Sequence, residues 1–170
     1  MYEILKLLFE ICLFKKGPQD LPYSVWLLRA FVSIYASVRF LMLAIQANPL
    51  NAMLQISVEL LIIIGFSWIM LYVSRKINRF YQVTCALLGT DTMINFFALP
   101  GILTMELGHG GWLVFILMLA LIAWQCAVIA HIIYNALEQN LMFSFGLAFL
   151  YLLGSYQVIS LLFPDIAVTE

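Results

Sequence analysis

Among the charged residues inside long apolar runs, Arg39, Glu59 and Asp91 stand out. A charge at the centre of a bilayer costs at least ~2.5–3.5 kcal/mol on insertion scales, so each needs a partner or a purpose. Arg39 and Glu59 are each ten residues from Pro49. In an antiparallel hairpin centred there they reach equal depth, which predicts an ion pair. Tyr35 and Gln46 share the helical face of Arg39, and Gln55 shares that of Glu59. The pair is then either a site for an ion or polar substrate or a structural staple that fixes helix pairing. Asp91 recurs at helical spacing with Thr84 and Asn95, a short polar stripe that must face the bundle interior or a cavity. Such an acid serves as a proton-linked site, as a contact with a partner subunit, or as a hydrogen-bonded packing residue.

Other chemistry is sparse. His109 and His131 are the only histidines. The helical reading puts them at opposite ends of one span, too far apart to ligate one haem or metal. Glu106-x-x-His109 resembles half of a di-iron motif, but no second copy exists and Gly108 and Gly110 interrupt the helix. Ser155 and His131 fall at different depths, against an intramembrane serine protease, and Asp91 has no second intramembrane aspartate for a dyad. Gly108, Gly110 and Gly111 do not form a phosphate-binding loop. Cys12, Cys85 and Cys126 lie in apolar segments without a CxxC pair, which reads as buried thiols. We therefore assign no catalytic residue, no cofactor and no metal.

The elements that must position the polar residues follow from composition. Of 170 residues 65% are hydrophobic and 10% charged, against roughly 45–50% and about 25% in soluble domains. A soluble core of this size could not hide so much apolar surface. Five stretches reach the ~20 residues needed to span: Val25–Ala47, Asn51–Val73, Phe80–Ala98, Trp112–Tyr134 and Leu141–Phe163. In lipid, unbroken apolar runs without alternation must be helices. Asn48-Pro49 breaks the chain after the first span, with Asn51 a candidate cap for the second. Pro100-Gly101 is expected to end the third, residues 138–140 join the fourth to the fifth, and Pro164 stops the fifth. Ala120, Ala123, Ala127 and Ala130 on the fourth span, and Ser144, Ala148, Tyr151 and Ser155 on the fifth, make small ridges that favour close helix packing. Residues 1–14 are too short to span. Glu3, Lys6 and Glu10 share one face and Ile4, Leu5, Leu8, Ile11 and Cys12 fill the rest, an amphipathic helix for the membrane interface. A linker over 15–24 follows. The fold class is thus an all-α membrane protein, a single domain of five transmembrane helices preceded by an interfacial amphipathic helix.

Lys6, Lys15 and Lys16 precede the first span, and Arg75, Lys76 and Arg79 lie between the second and third. The loops at 48–50 and 99–111 and the residues after Phe163 contain no Lys or Arg. The basic residues Lys15, Lys16, Arg75, Lys76 and Arg79 therefore mark the inner interface, with a cytoplasmic N-terminus and an outward C-terminus. Tyr23, Trp26, Trp68, Tyr72, Tyr81 and Tyr134 agree, falling near that interface, with Trp112 at the other. The expected location is a bacterial inner membrane.

The layout resembles the Yip family, small five-span proteins with a cytoplasmic N-terminus. The segment Lys15-Lys16-Gly17-Pro18-Gln19-Asp20-Leu21-Pro22-Tyr23-Ser24 is similar to the lead-in to the first span in small bacterial proteins associated with that family; beyond those ten residues only the topology matches. The long cytoplasmic N-terminal region of eukaryotic members has no counterpart in these residues, so a trafficking role is not expected from the resemblance. The resemblance implies a binding or organising protein without catalytic residues. The expected function is a non-catalytic membrane protein that binds a partner, another membrane protein or a second copy of itself, in the lipid bilayer. A small transporter or channel subunit using Arg39, Glu59 and Asp91 is the alternative. A net charge of -1 gives no reason to expect nucleic acid. For the topology, a reporter active only outside the cytoplasm should work when fused after Phe163 and fail after Arg79; the reverse pattern would overturn the orientation.

Overall fold

The computed structural model describes residues 2–44, 48–106 and 111–163. Gln46, Gly108, His109, Gly110, Pro164 and the side chain of Glu106 lie outside the described residues, so the expectations attached to them have no structural counterpart. Six α-helices follow in order: α1 Tyr2–Cys12, α2 Val25–Leu43, α3 Pro49–Val73, α4 Phe80–Glu106, α5 Trp112–Leu137 and α6 Leu141–Leu162. Short 3-10 turns at Pro18–Asp20 and Ile77–Arg79 complete the regular structure. The last five helices are long and apolar enough to cross a membrane.

Helix ends follow local chemistry, with some corrections to the expected boundaries. Ser24 caps α2, its hydroxyl accepting from the Leu27 N–H at 3.4 Å. That helix ends at Leu43 rather than at Ala47. Helix α3 starts two residues before Asn51: Asn48 is the cap residue and Pro49 the first helical position, where its missing N–H costs nothing and its fixed φ is already helical. Pro100-Gly101 does not stop α4, which continues to Glu106. In lipid a helix that breaks leaves backbone groups unpaired, whereas proline within a helix is tolerated. A Cβ at Gly101 would meet only the end of the flexible Met118 side chain of α5, which can move aside, so packing does not demand a glycine there. Helix α5 runs to Leu137, past Tyr134, and Asn140 caps α6 through a bond from the Met142 N–H.

Helix α4 lies at the centre and packs against α1, α2, α3 and α5. Every residue from Val83 to Thr90 is buried, so that half of α4 needs a neighbour on each side. The first helix supplies one of them. It forms where expected, with Glu3 and Lys6 exposed and Glu10 paired to Lys16 at 2.9 Å. That neighbouring ammonium holds the Glu10 carboxyl below the usual range. Its apolar edge, expected to lie in the interface, is covered by protein: Leu8, Ile11 and Cys12 are buried. Carbonyls left without helical partners at its end and in the linker are taken up by side chains of the bundle. Trp124 donates to Cys12 at 3.1 Å and Gln82 to Leu21 at 2.6 Å, while His131 Nε2 bonds the Lys16 carbonyl at 3.0 Å.

The expected inner-interface cations have distinct partners. Lys76 donates to the Leu137 carbonyl at 3.0 Å and pairs with Glu138 at 2.9 Å. Arg79 pairs with Glu138 at 2.8 Å and approaches the Asn135 and Ala136 carbonyls. Both cations complement the carbonyl end of α5 and its dipole, and together they hold the Glu138 carboxyl below its usual range. Arg75 takes a left-handed φ of 55° just past α3, where its N–H and that of Lys76 bond back to Tyr72 and Leu71, closing the helix in a Schellman pattern. Of the alanine ridge on α5 only Ala130 is buried, and Ala120 and Ala123 are exposed. Ser144 and Ala148 do face the bundle.

Gly89 makes the docking of α1 possible. A Cβ there would lie 2.7 and 2.8 Å from the Leu8 methyls and 3.3 Å from Phe31. Overpacking costs typically 1–3 kcal/mol, so Gly89→Leu should raise the undocked fraction of α1 by about 5- to 150-fold. Burial pushes the Cys12 thiol up to about 11, which keeps it unreactive while docked. In a Cys85→Ala/Cys126→Ala background, an impermeant maleimide should label Cys12 slowly in the parent and rapidly in the Gly89→Leu variant. Equal rates would show that α1 is not held at this contact.

Candidate functional site

All five spanning helices place polar side chains around one cavity of about 160 Å3. Helix α2 contributes Tyr35 and Arg39, α3 contributes Glu59, α4 contributes Asp91 and Asn95, α5 contributes Gln125, and α6 contributes Tyr151 and Ser155. Asp91 is eleven residues into α4, roughly 16 Å along its axis at 1.5 Å per residue. That depth is close to the middle of a ~30 Å hydrocarbon layer.

The register centred on Pro49 brings Arg39 and Glu59 together. Arg39 Nε donates to Glu59 Oε2 at 2.7 Å, and its Nη2 donates to Oε1. Tyr35 adds a bond to Oε2 at 3.0 Å and Gln55 one to Oε1 at 3.1 Å. Four donors match the acceptor capacity of a carboxylate, so Glu59 is satisfied in charge and in hydrogen bonds. It is also the more enclosed partner, its side chain 3% exposed against 22% for Arg39.

Asp91 is served differently. Asn95 donates to its Oδ2 at 2.8 Å, one turn along α4, and Gln125 donates to Oδ1 from α5. Both donors are neutral carboxamides, and none of the ion pairs among the described residues includes Asp91. Taken with the Arg39–Glu59 pair, the cavity wall holds one cation and two carboxyls. Glu59 is compensated at contact distance; Asp91 is not.

Of the residues singled out from sequence, Arg39, Glu59, Asp91 and Asn95 converge on this cavity with Tyr35. Thr84 does not: it is fully buried about two turns away along α4, and its hydroxyl has no hydrogen-bond partner. Gln125, Tyr151 and Ser155 are wall residues that charge patterning alone does not identify. Gln125 is visible as one of two polar residues in the fourth span, and Tyr151 and Ser155 as members of a ridge; neither signal says what they face. His131 lies away from the cavity, against Lys16 and Asn135. Among the described residues no three of His, Cys, Asp and Glu gather into a metal-ligating group. Comparison with family models, curated proteins and solved structures returned no match.

Removing one partner of a buried ion pair costs about 3–5 kcal/mol because the other charge is left uncompensated, and less where that charge can reach water. Arg39→Leu or Glu59→Leu alone should therefore sharply reduce the folded fraction in detergent, and the double change should recover much of the loss. Tyr35→Phe should cost about 1.5–3 kcal/mol, the weight of a bond to a charged group. Strictly additive losses at 39 and 59 would show that the pair does not hold the hairpin.

Proposed function

We propose that the chain binds a small cation, the proton included, in this intramembrane cavity and is a small transporter or channel subunit. The observation that supports this is the uneven compensation of the two acids: Asp91 faces the cavity with neutral partners only. A carboxylate in a low-dielectric interior is unfavourable until a positive charge joins it. The Tyr151 and Ser155 hydroxyls on the facing wall supply further oxygen ligands. Asp91 is the residue that meets the cation; Asn95 and Gln125 orient it; Arg39 and Glu59 form the rigid wall.

A second reading, a non-catalytic protein that binds a partner or organises a membrane complex, is favoured by the saturation of Glu59, which has the character of a staple rather than a binding group. The likeness of residues 15–24 to Yip-family lead-ins points the same way. Under either reading the N-terminus is cytoplasmic, the C-terminus faces outward and the membrane is a bacterial inner membrane.

Proteoliposomes separate the two. Under an imposed gradient of H+, Na+ or K+, the protein should raise the flux of at least one above that of empty vesicles. Asp91→Asn keeps the size and acceptor oxygen of the side chain but removes its charge. It should lower that flux at least tenfold with little change in folded yield. Flux equal to empty vesicles, or unchanged by Asp91→Asn, would overturn the cation reading. A stoichiometric complex with another membrane protein in mild detergent would then favour the second.

A further inference from the structure

Most of the groups that the cavity wall leaves unengaged are acceptors. Asn95 and Gln125 direct their N–H groups at Asp91, which leaves each amide its carbonyl oxygen. The Tyr35 hydroxyl is given to Glu59 at 3.0 Å. The Tyr151 and Ser155 hydroxyls border the cavity without a hydrogen-bond partner among the described residues, and a hydroxyl can accept. Each Asp91 oxygen takes one bond and has a lone pair left for another. With one guanidinium facing two carboxyls, the wall lacks one positive charge. A ligand that carries that charge on N–H groups meets both needs. Arg39 keeps N–H groups beyond those on Glu59, where an amino acid could set its carboxylate. A zwitterion adds no net charge, however, and the excess carboxyl would stay uncompensated.

Size narrows the class further. A cavity of about 150 Å3 takes up a benzene, roughly six carbons, and this one is about 160 Å3. A desolvated metal ion would touch one part of such a wall and leave the rest to water. Ile63 and Leu152 also border the cavity. They offer nothing to a metal ion, whereas a short alkyl chain gains by leaving water against them. Asp91, Asn95, Gln125 and Ser155 are partly exposed, so the cavity can be entered; Leu87–Thr90, just before Asp91, are buried and close it on that side.

Resting on the cation reading above, we propose that the ion this cavity takes is a small primary alkylammonium of about six non-hydrogen atoms or fewer. Its ammonium sits on Asp91 and donates to the Tyr151 and Ser155 hydroxyls, and its alkyl chain lies toward Ile63 and Leu152. A proton on Asp91 neutralises the same charge, so proton and ammonium do not occupy the site together.

Melting of the whole protein in a non-ionic detergent, with chloride salts added at constant ionic strength, tests the choice of ion. A ligand that binds the folded form raises the midpoint as it fills the site. n-Propylammonium should do so at a concentration at least tenfold below that needed with Na+, K+ or tetramethylammonium. The last has the same charge and a similar size but no N–H. Glycine should have no effect. Asp91→Asn should weaken the n-propylammonium effect at least tenfold. Ser155→Leu, which fills the cavity and keeps Asp91, should do the same and serves alone if Asp91→Asn does not fold. Ser57→Leu, an equal change on the exposed side of α3, should leave it as in the parent. The proposal is overturned if Na+, K+, tetramethylammonium or glycine matches n-propylammonium, if n-propylammonium has no effect, or if Ser155→Leu responds like the parent. The cation reading itself is decided separately, by the flux of H+, Na+ and K+ in vesicles, and stands or falls whichever ion the melting selects.

Discussion

A carboxylate near mid-bilayer has no water to face, so the donors that reach Glu59 decide how the helices around it are arranged. Arg39 grips both oxygens from α2, and Tyr35 and Gln55 fill what is left. Sliding α2 past α3 by one turn, about 5.4 Å, would break every bond between the two helices in this set. The constraint therefore sets the register of the hairpin, and register has two consequences. On the inner side it delivers Arg39 and Tyr35 to the cavity shared with α4, α5 and α6. On the other side it sets Ala36 and Phe40 across from Met53 and Ser57, the walls of a groove open to the outside of the bundle.

The second organising fact is the enclosure of α4. Its buried half has threonines at 84, 90 and 92, and two of them turn their hydroxyls back onto their own helix, Thr90 to Ala86 and Thr92 to Leu88. Those groups are satisfied locally and ask nothing of neighbouring helices. Asp91 and Asn95 do reach outward, and Gln125 comes to meet them across the α4–α5 contact. The glycine at 89 lets Leu8 and Phe31 approach closely enough for α1 to close the remaining side. A helix too short to span thus becomes part of the bundle's packing without losing its exposed charged edge.

How far this was legible in the sequence depends on the kind of signal. Apolar length gave the five spans, since only a run of about 20 residues can cross, and equal distance from Pro49 gave the Arg39–Glu59 contact. The boundary at Pro100 misled because a turn rule drawn from water was applied in lipid, where the backbone holds its own bonds more strongly. The inward face of Gln125 could not be read, because α5 is apolar almost all round; the ridge of Ser144, Ala148, Tyr151 and Ser155 marked a packing face of α6 but not the polar cavity that its far half borders. Gly89 gave no signal either: a glycine in an apolar run shows its reason only when the side chains opposite it are known.

The two membrane acids also show why a polar cluster should not be given one role. Glu59 has a full set of donors including a guanidinium, and a group so held loses all of them if it moves or changes charge. Such a group suits a wall. Asp91 has two neutral donors, each of which can also accept through its carboxamide oxygen, so its surroundings can adjust to either charge state by turning an amide. Holding one acid by a cation and leaving the other to amides gives the cavity a fixed side, α2 with α3, and an adaptable side, α4 with α5. A binding site that admits and releases a charge needs both, because rigidity alone would trap the ligand and adaptability alone would not hold the helices at their depth.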